Sequence, residues 1–403
     1  MEKKNLEIFV WYECDYSGGP DWSLIDLVKN WPNKDQKFKV FVNENHEGVG
    51  LLESKSNKNF KIIVIPSYFY YSYWSQKFKN YKNKYLLIFF KFIATIFSFL
   101  SILILSLIFF AKNKSKAVLF SSGGFPGGLS HFPAMLSAFL LCKKKRWMIV
   151  RSHVNKVFFL KFFNFISKLS LHGIISISKV IKSELIKNRC FDKKKIKVIY
   201  PGIDHKKNQN LNVKKIFNKS NLVVGIIGHL SKRKGHEILF KAINILYKKN
   251  KKVRIIVIGS DINEPGENFS RKYYLKKLAN RLGISKIIYW QNYTSEIFAY
   301  FKNIDILVLP SIKDESFGRV LVEGMASDTV VVGSKTGGIP EIISHNKNGL
   351  LFEMGSYEDL SKKIRLLIQD RILRKKLVKN GKKYFLKHFS SEIYVNSYFK
   401  LFR

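Results

Sequence analysis

A short apolar run, a polar turn and a helical segment follow one another in the second half of the chain, and this succession constrains the fold most. Asp305–Leu309 has the length and apolarity of a strand and ends at Pro310. Apolar residues resume with helical spacing from Phe317 to Ala326. A strand that leads through a loop into a helix points the unpaired N–H groups of the first helical turn at the loop. Such a helix start binds phosphate, so the stretch predicts an anion site in a doubly wound α/β domain.

Two carboxylates flank this helix start. Glu315 lies in the loop, and Glu323 lies inside the predicted helix. An anion site between two acidic side chains suits a ligand with phosphate in its middle and hydroxyl groups at both ends, and a nucleotide-sugar is such a ligand. A loop and a helix that merely pack together remain the alternative interpretation of any one of these residues.

Three segments of this stretch resemble the donor-site signature of glycosyltransferase family 4, whose members are retaining enzymes with the GT-B fold. The segments are Glu315–Gly318 (ESFG), the single residue Glu323, and Gly337–Glu341 (GGIPE). The similarity covers Leu222–Glu353 well and the N-terminal half in outline. The resemblance implies that Glu315 contacts the donor sugar, that Glu323 contacts the ribose hydroxyls, and that the glycine-rich segment lines a cleft. The further residues that it places at the donor are Ser316, Phe317 and Gly318.

Cations are concentrated in the loop 228–235, which follows the predicted strand 222–227 and reads GHLSKRKG. The resemblance implies that an arginine after the first glycine and a lysine before the last glycine neutralise the donor diphosphate. Lys234 matches this pattern, whereas His229 stands in place of the arginine. Either Arg233 replaces that arginine, or His229 performs a weaker version of its role. Fixed cations favour the transition state because the diphosphate gains negative charge as the glycosidic bond breaks.

The resemblance assigns further donor contacts to turns after other predicted strands. Gly18 and Gly19 follow the first strand of the chain, and the resemblance implies that they lie against the donor phosphates. Gly259 and Tyr293 stand where the family places its nucleotide base. Ordinary turn and core positions are the alternative interpretation of these four residues.

Two histidines are candidates in the N-terminal half. His153 follows the predicted strand Trp147–Arg151, where the family often has a histidine close to the donor sugar. Histidine changes charge near neutral pH, which suits a catalytic place. The second candidate, His131, follows a glycine-rich loop that contains Gly123 and Gly124 and would form an acceptor or phosphate site. A structural histidine and a flexible connection are the alternatives.

The segment Phe92–Ala111 has no charged residue and, as a helix, reaches about 30 Å, enough to cross a bilayer. Aromatic residues at 68–74 and several lysines flank it, as is typical of a membrane interface. A spanning helix would separate the first strands of the domain from their partners, so a single sheet could not form. Small and hydroxylated residues share one side of the predicted helix, namely Ala94, Thr95, Ser98, Ser101 and Ser106. We therefore expect this side to pack on the domain while the bulky side enters one leaflet.

Two alternatives remain for this helix, a fully buried core helix and a true membrane-spanning one. Its basic surroundings also bear on the net charge of +42, which lysine dominates. A general spread of lysine over solvated faces would explain that charge, as would attraction to nucleic acid or to an anionic membrane. The apolar helix favours an anionic membrane surface as the partner, where each nearby basic residue contributes about 1 kcal/mol. No nucleic acid partner is expected.

With 403 residues, the chain is long enough for two domains. The alternation of strands and helices through both halves predicts two Rossmann-like doubly wound domains. The resemblance implies that these domains face each other across a cleft. We expect an N-terminal acceptor-binding domain at 1–203, with the apolar helix at about 85–111, and a C-terminal nucleotide-sugar-binding domain at 204–385. A polar linker at 205–220 and a terminal helix at 386–403, which returns to the first domain, complete this expectation.

Cysteine usage and the N-terminus predict the compartment. The three cysteines, Cys14, Cys142 and Cys190, have no metal-like spacing, so we expect reduced, structural thiols. No N-terminal signal peptide is visible. With the apolar helix, these features predict a cytoplasmic protein attached peripherally or monotopically to the inner face of the cytoplasmic membrane.

Together these features predict a metal-independent glycosyltransferase that uses a nucleoside diphosphate sugar as co-substrate, and the resemblance implies that the anomeric configuration is retained. The expected acceptor is a membrane-associated glycan, such as a lipid-linked one, in the synthesis of a cell-surface polysaccharide or glycoconjugate. No Asp-x-Asp motif occurs in the chain, so Lys234, Arg233 and the helix start would take over the electrostatic role of a metal, and no cofactor is expected. The predicted catalytic residues are Glu315, His153 and Lys234. The alternatives are a catalytically silent nucleotide-sugar-binding subunit of a membrane assembly and a basic nucleic-acid-binding protein.

Overall fold

The computed structural model describes residues 7–14, 18–78, 83–113, 115, 117–141, 143–155, 160–188, 190–205, 215–218, 220–249, 252–261 and 270–403. Contacts divide the chain into two compact units, the first made of Met1–Gly202 with Ser391–Arg403 and the second of Ile203–Ser390. The sequence prediction set the corresponding boundaries at 203 and 385. Most of the predicted linker lies outside the described residues, and so does Cys142, whereas Cys14 and Cys190 are buried thiols.

The sheet of the first unit is built from apolar runs that the sequence predicts as strands. Within the described residues these are β1 (Ile8–Glu13), β2 (Phe38–Asn43), β3 (Phe60–Ile65), β4 (Ala117–Ser122), β5 (Lys145–Val150), β6 (Gly173–Ser176) and β7 (Ile196–Val198). They pair in parallel in the order β3-β2-β1-β4-β5-β6-β7. The central strands β1 and β4 are buried along nearly their whole length, as is typical of a parallel sheet that helices cover on both faces.

Helices connect these strands and determine where ligands can bind. They are α1 (Gly19–Lys29), α2 (Val49–Ser54), α3 (Tyr71–Lys77), α4 (Lys84–Lys112), α5 (His131–Leu140), α6 (Leu160–Ser170) and α7 (Lys179–Lys187). The winding direction reverses between β1 and β4, and α4 lies in the connection from β3 to β4. Right-handed crossovers place α1 and α2 on one face of the sheet and α4, α5 and α6 on the other. Ligands of such folds bind beyond the carboxyl ends of the strands near the reversal.

One side of α4 attaches this helix to the first unit. Its buried residues are spaced four apart, and they are Ala94, Ser98, Ile102, Ser106 and Phe110. The Ser106 hydroxyl lies 2.6 Å from the Ser137 hydroxyl on α5, and the Phe110 ring stacks on Phe9 with the ring centroids 5.6 Å apart. The small residues at 94, 98 and 106 therefore lie on the packing side, as the helical wheel predicts.

Thr95 departs from that prediction because it is exposed. Its hydroxyl donates to the Lys91 carbonyl at 2.7 Å, so the polar group is satisfied within the helix itself. Bulky side chains of α4 point outward, and Phe97, Leu100 and Ile104 are all exposed. Only 22% of the most apolar 18-residue window of α4 is buried, which contradicts the alternative of a fully buried core helix. Among the described residues, α4 is the one helix that is long and apolar enough to cross a membrane.

The second unit has the same kind of architecture. In the part of the chain that the structure describes, its strands are β8 (Leu222–Ile227), β9 (Val253–Ile258), β10 (Ile288–Gln291), β11 (Ile306–Leu309), β12 (Val330–Ser334) and β13 (Leu350–Phe352). They pair in parallel in the order β10-β9-β8-β11-β12-β13, so the winding direction reverses between β8 and β11. The helices are α8 (His236–Lys249), α9 (Arg271–Arg281), α10 (Ile297–Phe301), α11 (Arg319–Ala326), α12 (Ile339–Ile342), α13 (Tyr357–Gln369) and α14 (Arg371–His388).

The last helix, α15 (Ser391–Phe402), packs within the first unit. The Tyr394 hydroxyl donates to the Ser23 carbonyl at 3.3 Å, and the Phe399 ring lies edge-on to Trp31 with the ring centroids 5.6 Å apart. The predicted returning helix, 386–403, starts a few residues later than expected because α14 continues to His388.

Candidate functional site

Three loops lie together at the carboxyl edge of the second sheet, because its parallel strands all end there. They are the loops 228–235 after β8, 310–318 after β11 and 335–338 after β12. The Ile312 amide donates to the Arg233 carbonyl at 2.9 Å, which joins the first loop to the second. The Ser334 hydroxyl at the end of β12 donates to the Ser311 carbonyl at 2.8 Å, which joins the second loop to the third. Most of the predicted donor residues of the second unit are therefore on neighbouring loops.

Glu315 forms ion pairs with two cationic side chains of these loops. Its oxygen Oε2 accepts hydrogen bonds from Lys234 Nζ at 2.8 Å, from the Arg233 guanidinium at 3.2 Å and from the Ser311 hydroxyl at 3.0 Å. The Lys234 side chain is 14% exposed and that of Glu315 11%, so solvent screens their ion pair only weakly. Two cations on one carboxylate leave a net positive charge, which suits an anionic ligand.

The Glu315 carboxyl group is ionised at neutral pH. Burial raises its pKa, but the charges of Lys234 and Arg233 and the hydrogen bonds from Lys234 and Ser311 outweigh burial and lower the pKa to about 2. The side chain is therefore a hydrogen-bond acceptor and a partner for cations, and it has no proton to donate at physiological pH.

Glycine residues allow the three loops to approach one another. Gly337 has a φ of +52°, and a Cβ there would collide with the backbone of Glu315. The next amide, that of Gly338, donates to the Glu315 carbonyl at 2.6 Å. A Cβ on Gly235 would collide with the Pro310 carbonyl oxygen. Both glycine turns thus support the Glu315 loop by direct contact with its backbone.

The helix α11 begins directly after the Glu315 loop. Gly318 precedes its first residue with a φ of 100°, Phe317 is buried and Ser316 is partly buried. Glu323 is buried within the helix and accepts a hydrogen bond from Arg319 Nε at 2.8 Å. Sequence analysis assigned no role to Arg319, although a spacing of four residues on a helix is a readable signal for such a pair.

The other predicted donor residues of the second unit follow β8, β9 and β10. His229 is exposed, Gly259 is buried and donates its amide to the Gln291 carbonyl at 3.0 Å, and Tyr293 is half exposed. All three lie at the carboxyl edge of the sheet. Of the two candidates for the role of the missing arginine, Arg233 is the one that the structure brings to Glu315.

His236, which sequence analysis did not identify, is buried beside the cations at the start of α8. Burial, together with the positive charges of Arg271 and Lys234, lowers its pKa to about 3. The imidazole is therefore neutral at physiological pH. It adds no charge to the pair of cations on Glu315.

In the first unit, a buried hydrogen-bond network around Asp21 holds the glycine turn after β1. The Asp21 carboxylate accepts from the Gly18 amide at 2.8 Å and from the Tyr12 hydroxyl at 2.5 Å, and it lies 2.9 Å from His46 Nε2. Burial raises the Asp21 pKa, but the hydrogen bonds from His46 and Tyr12 outweigh burial and lower it. Gly19 begins α1. The predicted phosphate turn is thus anchored by three side chains to which sequence analysis assigned no role.

His153 lies just after β5, and a carboxylate of α7 orients it. Its Nδ1 is 2.7 Å from one oxygen of Glu184, and the other oxygen accepts from the Val154 amide at 3.0 Å. The His153 side chain is 32% exposed, so it remains accessible to a ligand. The partly exposed Gly124 lies against this segment, since a Cβ there would touch the His153 carbonyl oxygen. Sequence analysis missed Glu184 because 31 positions separate the two residues.

His131 is completely buried at the start of α5. Its ring nitrogens lie 3.1 Å from the carbonyl oxygens of Gly128 and Ser121, and Nδ1 is also 3.2 Å from the Glu13 carboxylate. Full burial is at odds with the predicted contact to an acceptor, which requires an accessible ring. The imidazole instead fastens the loop that contains Gly123 to the ends of β1 and β4.

Solved structures of similar shape confirm the predicted fold class. A glycosyltransferase from Rickettsia africae ESF-5 aligns with a TM-score of 0.77 at 19% identity, over 99% of this chain and 98% of its own. The Anabaena protein HepE, solved in complex with UDP-glucose, aligns with a TM-score of 0.74 at 18% identity, over 98% of this chain and 99% of its own. At this level of identity the likeness shows the fold alone, which is GT-B.

Sequence relatives narrow this class to a family. Residues 192–384 match the family described as Glycosyl transferases group 1. The capsular polysaccharide biosynthesis glycosyltransferase CapM of Staphylococcus aureus is 27% identical over 297 residues, which are 70% of this chain and 75% of CapM. The uncharacterized glycosyltransferase MJ1069 of Methanocaldococcus jannaschii is 26% identical over 100% of this chain and 99% of its own length. The chain thus carries a domain of the group 1 glycosyl transferases, and the predicted resemblance is confirmed at that level.

Proposed function

We propose that this protein is a retaining glycosyltransferase that moves a sugar from a nucleoside diphosphate sugar to a membrane-associated acceptor. The observation that carries the proposal is the pairing of Glu315 with Lys234 and Arg233 at the carboxyl edge of the second sheet. HepE, a protein of the same fold, binds UDP and UDP-glucose, which supports a diphosphate donor. CapM is named for capsular polysaccharide biosynthesis, which supports an acceptor such as a lipid-linked glycan in the synthesis of a cell-surface polysaccharide or glycoconjugate.

The charges of the Glu315 cluster suggest how the donor is activated. Lys234 and Arg233 would hold the diphosphate, and their fixed charges would stabilise the negative charge that develops on the leaving group. As the diphosphate engages these cations, the Glu315 carboxylate becomes an acceptor for hydroxyl groups of the sugar. Glu323 would hold the ribose. We propose no side-chain nucleophile, and retention would follow from attack on the face that the diphosphate leaves.

We further propose that this activation needs no metal ion. Two fixed cations already supply the positive charge that a divalent metal provides in other transferases. Transfer that continues at an undiminished rate with EDTA supports this view. A rate that EDTA abolishes and that Mg²⁺ or Mn²⁺ restores contradicts it.

The apolar outer side of α4 supports attachment to the inner face of the cytoplasmic membrane. Phe97, Leu100 and Ile104 are exposed on that side, and Lys84 and Lys112 at the helix ends are exposed as well. An apolar helix side between basic ends suits a helix that lies in one leaflet of an anionic bilayer. A membrane-bound enzyme would meet a lipid-linked acceptor at the surface where that acceptor resides.

Substitution of the cluster tests the activity. We expect Glu315→Gln and Lys234→Ala each to lower turnover about 10²-fold or more. Lys234→Ala removes a fixed positive charge at the donor diphosphate, and Glu315→Gln removes the carboxylate that positions both cations and would accept the sugar hydroxyls. Transfer from the best donor of a thermal-shift screen with UDP-, GDP- and ADP-sugars is the measurement. Lys363→Ala is the matched control, since Lys363 pairs with Asp359 on the surface of α13.

Near-normal transfer by both cluster variants would contradict the site assignment. Donor binding without hydrolysis or transfer to any acceptor would favour the alternative of a silent nucleotide-sugar-binding subunit. A protein that binds none of the donors would contradict both.

A further inference from the structure

The helix α6 has its polarity reversed relative to a helix on a water-soluble surface. Phe162, Phe165 and Leu169 are 51%, 64% and 46% exposed, and their spacing of three and four places them on one side of the helix. Three of the four buried residues of α6 are polar, and the buried residues are Asn164, Ile166, Ser167 and Ser170. A helix that presents aromatic rings outward and hydroxyl groups inward needs an apolar partner on its outer side.

The exposed apolar side of α6 continues the exposed apolar side of α4. The two helices are separated by α5, and all three cover the same face of the first sheet. The Phe163 ring of α6 stacks on Phe132 of α5 with centroids 4.3 Å apart, and the Ser106 hydroxyl of α4 contacts α5 from the other side. Leu140 at the end of α5 is exposed between them. The outer sides of the three helices therefore form a single apolar layer.

The segment of the chain that forms this layer carries charge of one sign. No Asp or Glu occurs between Glu53 and Glu184, so all 29 acidic residues of the chain lie outside the interval that includes α4, α5 and α6. Lysines are common within that interval, and Lys161 and Lys168 are exposed on α6 itself. A general lysine bias would add cations without removing the acidic residues. The absence of acids therefore points to an anionic partner for this layer.

We propose that α6 is a second membrane anchor, and that α4 and α6 together dock the first unit on an anionic lipid bilayer. We call Phe97, Leu100 and Ile104 of α4 with Phe162, Phe165 and Leu169 of α6 the bilayer-docking surface. Apolar side chains that enter the acyl region beside lysines that stay at the headgroups match an interfacial helix pair. The proposal rests on the proposed membrane attachment of α4, and it adds how that attachment is arranged on the bilayer. Two anchors on either side of α5 hold α4 in the membrane plane, which excludes a spanning helix.

Vesicle binding by the full chain tests the two anchors separately. The vesicles contain phosphatidylcholine with phosphatidylglycerol, and vesicles of phosphatidylcholine alone are the neutral comparison. We expect the triple variant Phe162→Ser, Phe165→Ser, Leu169→Ser to weaken binding at least about tenfold, because it removes three inserted side chains. We expect the same of the triple variant Phe97→Ser, Leu100→Ser, Ile104→Ser. A matched control places Ser at three exposed apolar residues of the second unit, Tyr273, Ile372 and Leu386.

A second measurement does not depend on how well the triple variants fold. Phe165→Trp keeps an aromatic ring on α6, and its fluorescence reports contact with brominated acyl chains. We expect the brominated lipid to quench this fluorescence more than that of the wild type. Equal quenching in the two proteins would overturn the role of α6.

The remaining outcomes separate the two proposals. If the α6 variant binds vesicles like the wild type while the α4 variant does not, α6 is no anchor and the attachment by α4 stands. If the wild type binds no vesicle, both membrane proposals fail, whereas transfer to a soluble acceptor still tests the activity. A lipid-free dimer that the α6 variant dissociates would identify a second copy as the partner, and competition by RNA alone would identify nucleic acid. Either result would overturn the proposal that a lipid bilayer is the partner of this surface.

Discussion

At the scale of single residues, the chemistry of the second unit converges on one carboxylate oxygen. Glu315 Oε2 accepts from Lys234, Arg233 and Ser311, and each donor comes from a loop at the end of a parallel strand. The same contacts that would position a diphosphate also stabilise the folded unit. Site chemistry and stability are therefore linked through the Glu315 pKa.

This linkage predicts how stability depends on pH. The Glu315 pKa is lowered from 4.5 to about 2, so its contribution is fully present above pH 4.5 and is lost as the pH falls towards 2. The loss is on the order of 3 kcal/mol. We expect the urea midpoint of the wild type to fall across this range and that of Glu315→Gln to fall less. Glu353→Gln, which removes a surface ion pair with Lys335, should leave the wild-type pH profile unchanged.

Sequence analysis identified the charged members of this cluster, but it did not identify the partners of candidate residues elsewhere in the chain. Glu315, Lys234 and the glycine pair were predictable because each belongs to a local pattern at a strand-to-helix turn. Glu184 was not predictable, because its contact with His153 bridges two elements that only the fold brings together. The burial of His131 was not predictable for a related reason, since a glycine-rich loop does not reveal whether the residue after it faces solvent or the sheet.

At the scale of elements, the spacing of apolar residues predicted which helices and strands exist better than it predicted which side of each one faces the sheet. The strands are apolar runs, and those predicted at 147–151, 222–227 and 305–309 lie within two residues of the observed Lys145–Val150, Leu222–Ile227 and Ile306–Leu309. The apolar helix was expected at about 85–111, and α4 extends over Lys84–Lys112, so its extent was predicted within one residue at each end. The exposed apolar side of α6 was missed. Periodicity shows that one side of a helix is apolar, but it does not show which side faces the sheet. Aromatic residues are usually expected in the core, whereas Phe162 and Phe165 of α6 face outward.

Two serines on the packing side of α4 provide a matched pair for testing this orientation. The Ser106 hydroxyl bonds that of Ser137, whereas the buried Ser98 hydroxyl has no hydrogen-bond partner among the described residues. We expect Ser106→Ala to lower the free energy of unfolding by about 1 kcal/mol and Ser98→Ala to leave it unchanged or raise it. Urea unfolding of both variants measures this difference, and equal destabilisation would contradict the described packing side of α4.

At the scale of the whole molecule, the first unit is built from both ends of the chain. The C-terminal helix α15 buries Tyr394, Val395, Tyr398 and Leu401 within this unit. The complete second unit lies between these two parts in the sequence. The fold class and the two-unit organisation were predictable from alternating strands and helices, while the contacts of α15 depend on side chains that are far apart in sequence.

Removal of α15 should therefore destabilise the first unit selectively. We expect a chain that ends at Ser390 to lose at least about 4 kcal/mol from the unfolding free energy of the first unit, because four large side chains leave its core. Limited proteolysis with mass spectrometry of the fragments is the measurement. Cleavage sites should appear first within 7–202, while a fragment covering 203–390 persists. A chain that lacks only Arg403 is the control, and equal protease sensitivity of the two truncated chains would contradict the prediction.

The position of α15 also has a consequence for biosynthesis. A ribosome delivers the N-terminal strands first, yet the residues that close their core follow the whole second unit in the sequence. Trp31 and its neighbours in the first unit consequently stay uncovered until α15 has been synthesised, whereas the second unit can complete itself earlier. Nascent chains of this protein should thus depend on chaperones longest at the end that was made first.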